Sequence, residues 1–299
     1  MRHRLQTAAL LAVMLLTLAL SHRAAEAVRQ GLELCARSVV PSLFPFLVLT
    51  GLFSSLSGDL GNNRLGFLMA RLYGCSPQGI AAFLLGILGG YPMGARTIDR
   101  LYVNGQISRQ EGENLLCLCN NAGPAFILSL VGLGKFGSLH LGVVLYLIHV
   151  AAALTTGLIM ARRNPATTSF TSSTGPRQIS FPQAFVQAVT SAGGTMVHIC
   201  AYVVSAVAFL QLFTQLTGLS HPLLLGAVEL TNGILLLGGQ KADFIMASAL
   251  LGWGGLSVHG QTAAVMPQLQ PAMGRYLLSK LLHAALSALL ACCAAPFFF

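Results

Sequence analysis

Charge is what this chain has least of. Only 8% of its 299 residues are Asp, Glu, Lys or Arg, against roughly a quarter in ordinary soluble domains. With 55% of residues hydrophobic, too few polar groups remain to clothe a water-soluble globule, so lipid must cover much of the surface. Strand-like alternation is also sparse beside the long apolar runs, which favours helices over a membrane barrel. The seven cysteines form no CxxC pair and have no His at zinc spacing, so they read as small buried hydrophobes and no metal site is expected. A P-loop, G-x-S-x-G, H-E-x-x-H and a dinucleotide fingerprint are all missing, so no enzyme, catalytic residue or cofactor is expected. Acidic residues number 8 against 17 basic ones. Without interleaved aromatics, that excess excludes nucleic acid as a partner and instead suits residues that orient a chain in a bilayer.

What is present is a series of apolar segments. Residues 1–30 carry a basic start, the run Leu5–Leu20 and an Ala-x-Ala at Ala25–Ala27. They read equally as a signal-like segment or as a first membrane helix. A second span runs Leu32–Leu56 through Pro41 and Pro45, where proline kinks a helix. Residues 62–74 read as a short interfacial helix. The run 79–88 breaks at Gly89–Arg96, and a later one breaks at Cys119–Pro124 before spans 125–134 and 139–161. Residues 162–182, basic and rich in Ser, Thr, Gly and Pro, read as a cytoplasmic linker.

The second half follows the same plan. A span covers 184–216, a run from Pro222 is broken at Glu229–Gly233, a run over 243–266 is broken at Gly252–Gly255, and a last span covers 276–295. The expected fold is therefore an all-α polytopic membrane protein with two inverted repeats, 31–161 and 183–299, containing broken or re-entrant helices. If residues 79–98 dip in and return, eleven basic residues fall inside and five outside, with Lys280 in the last span. That distribution agrees with the positive-inside rule.

Unwound backbone at membrane depth is costly unless it is buried in protein or lines a cavity, and paired breaks in two halves point to a transport site. The pairs are Gly89–Ala95 with Glu229–Gly233, and Asn120–Pro124 with Gly252–Gln261. Against this stands the reading that Gly and Pro simply allow close helix packing. Glu229 is the sharpest residue, a carboxylate in an apolar run, suited to a coupling cation, a proton or a substrate. It could instead cap the broken helix. Asn120, Asn121 and Asn232 offer donors and acceptors to a polar ligand, or cap and turn the chain. Gly90 and Gly94 would bring backbone close to the ligand, and His259 and Gln261 would bind it or bond between helices. Arg96 reads as topogenic, His198 as a packing histidine, and Asp99, Glu111 and Glu113 as solvated loop charges. The expected partners are the lipid bilayer and a small-molecule solute, with a second copy of the chain possible.

Five motifs together resemble the YlbJ-type sporulation integral membrane proteins, within the wider nucleoside-recognition (Gate) domain family. They are Pro41-Ser42-Leu43-Phe44-Pro45-Phe46, Gly90-Tyr91-Pro92-Met93-Gly94-Ala95, Cys119-Asn120-Asn121-Ala122-Gly123-Pro124, Glu229-Leu230-Thr231-Asn232-Gly233 and Gly252-Trp253-Gly254-Gly255-Leu256-Ser257-Val258-His259. The resemblance implies a place in the cell membrane or outer forespore membrane of an endospore-forming bacterium, movement of dipicolinic acid into the spore, and a core like that of concentrative nucleoside transporters. A small anionic or nucleoside-like solute is the expected cargo, with H+ or Na+ coupling open. The alternative is a non-transporting membrane scaffold required for spore maturation.

Overall fold

A computed structural model describes residues 2–56, 63–163 and 180–299, and every regular element among them is helical. The linker expected over 162–182 falls mostly on 164–179, and Asn62 of the expected interfacial helix also lies outside the described residues.

Helix α1 (Arg2–Ala19) is followed after one residue by α2 (Ser21–Leu34), a π segment (Cys35–Val39) and α3 (Val40–Leu56). The last three form one stretch of 36 residues, apolar enough to cross a membrane. The sequence places the start of this span near Leu32; the structure starts it at Ser21. The polar residues that look like a boundary instead pair along the helix, Arg29 with Glu26 at 3.3 Å and Arg37 with Glu33 at 2.9 Å, which supports helical continuation. The π segment lies directly before Pro41 and absorbs an extra residue in the ladder, one of the known ways a helix accommodates such a site.

Next come α4 (Arg64–Tyr73) and α5 (Pro77–Gly89), which meet at 98°. Asn63 caps α4 by accepting from the Gly66 amide at 2.8 Å. Helices α6 (Met93–Val103) and α7 (Arg109–Cys119), a second π-helix (Ala125–Leu133) and the turn α8 (Gly134–Phe136) precede the long α9 (Leu139–Arg163). After the linker, α10 (Phe181–Thr217) is followed by the short α11 (Pro222–Val228) and α12 (Leu230–Leu235). Then come α13 (Lys241–Trp253), α14 (Leu256–Ala264) and α15 (Met273–Ala294). Besides the first stretch, α9, α10 and Met273–Phe297 are long and apolar enough to span a bilayer, and α4 with α5 makes a fifth bent candidate.

Three apolar cores hold these helices. One joins Cys35, Val39 and Leu47 to Ala192, Met196, Ile199 and Val203, laying α10 along α2 and α3. A second packs α5, α6 and α7 against Met266, Leu269 and Tyr276, and a third packs the second π-helix and α9 against α12 and α13. Many large apolar side chains, among them Leu49, Phe53, Val197, Phe209 and Leu289, face outward, as lipid contact requires.

Three polar expectations are corrected here. Asp99 and Glu111 are buried rather than solvated: Asp99 accepts from the Leu269 amide at 2.8 Å and Glu111 from the Ser76 amide at 2.6 Å. Each carboxylate satisfies a backbone donor far away in sequence, which outweighs the cost of leaving water. His198 is exposed on α10 rather than packed inside. Glu113 pairs with Arg109 at 3.5 Å, and Arg96 donates to Thr195 at 2.6 Å, tying α6 to α10. The cysteines are free; Cys35, Cys75, Cys117 and Cys119 are buried, while Cys292 and Cys293 are exposed.

Candidate functional site

Each of the four breaks interrupts a helix at a residue or pair suited to it, and each touches another. Helix α5 ends at Gly90, whose φ of 71° favours glycine. A Cβ on Gly90 would stand 2.6 Å from the Gly123 amide, and one on Gly94 would stand 2.0 Å from the Cys119 carbonyl. The first and second breaks thus cross backbone to backbone. At the fourth, Gly254 and Gly255 have φ near 90°, and a Cβ on Gly255 would sit 3.1 Å from the Leu230 amide of the third break. The Trp253 indole donates to the Ala227 carbonyl at 2.9 Å across the same seam. Tyr91 links the two pairs: its hydroxyl donates to the Leu251 carbonyl at 3.0 Å, joining the first break to the helix that ends at the fourth.

Between the breaks lies a small, partly open cleft of about 50 Å³. Tyr91, Gly123, Glu229, Thr231 and Gln261 contribute to its wall from all four broken regions, and Val39 and Val203 close it from α2–α3 and α10. Glu229 is 2% exposed. Its Oε2 accepts from the Asn232 amide N–H at 2.8 Å and from the Asn232 side chain at 3.0 Å. The two readings of Glu229, helix cap and cleft carboxylate, therefore coincide in one residue, with Asn232 holding it.

The other sequence candidates are placed differently. Gln261 lines the cleft, but Asn120 and His259 point into a deeper polar cluster. The Asn120 amide donates to Thr262 at 2.9 Å and to the Tyr276 hydroxyl at 2.5 Å, and that hydroxyl lies 3.1 Å from His259 Nδ1. Asn121 donates to the Leu118 carbonyl at 2.8 Å, a helix-end bond. Gly90 and Gly94 are where the backbones cross.

The sequence reading missed the centre of that cluster. Lys280, fully buried on α15, donates to the Asn120 carbonyl and lies 3.4 Å from His283 Nδ1. His283 Nε2 donates to the His149 carbonyl at 3.0 Å, and His149 Nε2 accepts from the Ala122 amide at 3.0 Å. Among the described residues no carboxylate pairs with Lys280. An ammonium at the centre of a membrane helix costs about 3 kcal/mol on insertion scales. That cost was the available signal: a lysine inside the last span, with a histidine three residues on and therefore on the same face.

No family model matches the chain, and no solved structure matches it. It is similar to the sporulation integral membrane protein YlbJ of Bacillus subtilis (strain 168), with 27% identity over 320 aligned positions that cover 88% of this chain and 75% of that protein.

Proposed function

We propose that the chain belongs with the YlbJ-type sporulation integral membrane proteins, to one of which it is 27% identical, and that it is a permease for a small anionic solute. Convergence of four helix breaks on one cleft, with a buried carboxylate in its wall, carries this reading. Broken helices meeting near the middle of a bundle are how transporters present backbone groups to cargo. The paired positions of the breaks support two inverted repeats, 31–161 and 183–299, rocking about the cleft. Dipicolinate, implied by the resemblance, is the first cargo to test, with nucleosides as the second.

An anion and the Glu229 carboxylate repel one another in a low-dielectric cleft. A proton or a Na+ ion at Glu229 removes that repulsion, so coupled entry of cation and solute follows from the chemistry of the wall. The test is uptake into proteoliposomes under imposed proton and sodium gradients. Glu229→Gln keeps an oxygen acceptor for the Asn232 amide while removing the charge, and gradient-driven uptake is expected to disappear. If Glu229→Gln and Asn120→Ala both leave uptake of dipicolinate and nucleosides unchanged, the site assignment is wrong. Absence of uptake by the unaltered protein under every gradient would favour the scaffold reading instead.

A further inference from the structure

The deeper cluster has a hydrogen-bond order that one residue fixes. An ammonium only donates, so the Lys280 contact to His283 makes His283 Nδ1 an acceptor, and its Nε2 then carries the proton given to the His149 carbonyl. The other Lys280 bond goes to the carbonyl of Asn120, the residue that ends α7. That carbonyl lies at the negative end of the helix dipole and, with α7 broken there, lacks the continuing helix that would otherwise satisfy it. Two residues further on, the Ala122 amide is taken up by the His149 ring, and the backbone carbonyl of the same residue accepts from His283.

We infer that Lys280 is a positioning residue: its buried charge fixes the α7 break and so aims the Asn120 side chain at Thr262 and at Tyr276, one turn before Lys280 on α15. Its bearing on solute movement rests on the permease reading; its hold on the break does not. The charge answers a helix end where an internal carboxylate would otherwise be expected. The same bookkeeping leaves Asn120 Oδ1 and His259 Nε2 buried without partners, so the polar centre is ordered but not saturated.

The break carries its own reporters. Cys117 and Cys119, the last turn of α7, are buried and lie close to the Lys280 ammonium. Lys280→Met keeps the length of the side chain and removes the charge. The purified full-length protein would be treated with N-ethylmaleimide and the modified cysteines mapped by mass spectrometry. Release of the break is expected to raise labelling of Cys119 by about tenfold or more, the signature of local opening. Cys35 and Cys75 should stay protected, and Lys280→Arg should restore protection. Dipicolinate uptake should fall in Lys280→Met and recover in Lys280→Arg. Unchanged Cys117 and Cys119 labelling in Lys280→Met overturns the inference. Should Lys280→Met expose Cys35 and Cys75 as well, His283→Ala decides, because it leaves the Lys280 charge and its bond to the Asn120 carbonyl in place: continued protection of Cys119 sustains the inference and labelling of Cys119 there overturns it. A protein that labels as expected but moves no solute in any form would sink the permease reading alone.

Discussion

Gly94 and Gly193 both lie in helices, yet they answer to different constraints. A Cβ at Gly94 would stand 2.0 Å from the Cys119 carbonyl, a backbone atom that cannot step aside, whereas a Cβ at Gly193 would meet nothing within 4 Å. Gly94→Ala is therefore expected to destabilise by at least the 1–3 kcal/mol typical of overpacking. Gly193→Ala should be neutral or stabilising by up to about 1 kcal/mol through helix propensity. Thermal denaturation in detergent, read by tryptophan fluorescence or by aggregation, should place Gly94→Ala below the parent and Gly193→Ala at or above it. The carboxylates make a parallel case. Glu111→Ala strands the Ser76 amide in the interior and should cost about 1–3 kcal/mol, while Glu111→Gln keeps an acceptor for it and should cost less. Asp99 and Glu111 read as loop charges in the sequence because their partners, Leu269 and Ser76, are distant along the chain. A local pattern cannot display such a bond. Lys280 was legible in principle, since a lone cation in an apolar span is a signal by itself.

At the scale of elements, the breaks were the legible part. Glycines with φ near 90° at 254 and 255, and the cap residue Glu229, are composition signals that local sequence carries. What the sequence could not give was which break faces which, because that depends on backbone crossings such as Gly90 with Gly123. The double duty of Glu229 separates two effects that a single substitution would confuse. Glu229→Gln retains an oxygen to accept from the Asn232 amide, so α12 should keep its start and the melting temperature should stay near that of the parent. Glu229→Ala removes the cap and should lose about 0.5–2 kcal/mol of stability besides any effect on uptake. A Glu229→Ala melting temperature equal to that of the parent would mean that the carboxylate contributes nothing to the α12 end.

Across the whole molecule, charge sorts to two ends. At one, Arg109 donates to the Gln270 carbonyl at 2.7 Å, Arg275 bonds Asn114 at 2.5 Å and the Met160 carbonyl at 3.1 Å, and Glu113 accepts from the Ala272 amide at 3.3 Å. At the other, Lys135 donates to the Leu235 carbonyl at 2.6 Å, beside the turn that leads to Lys241. Helix α9 joins them: it starts just after Ser138 and ends at Arg163, 25 residues or roughly 37 Å at 1.5 Å per residue, enough to cross a bilayer. More basic residues therefore gather where α7, α9 and α15 meet, with Arg109, Arg162, Arg163 and Arg275, than at the opposite face, with Lys135 and Lys241, and an excess of Lys and Arg marks the cytoplasmic side under the positive-inside rule. If the arginine end is cytoplasmic, α15 starts inside at Arg275 and must deliver Phe299 to the outer face. A phosphatase reporter that is active only outside the cytoplasm should then work when fused after Phe299 and fail when fused after Arg163, with a fluorescent reporter giving the reverse pattern. Activity of the phosphatase at both positions would place the two ends of α9 and α15 otherwise and would remove the topological basis for two repeats of opposite orientation.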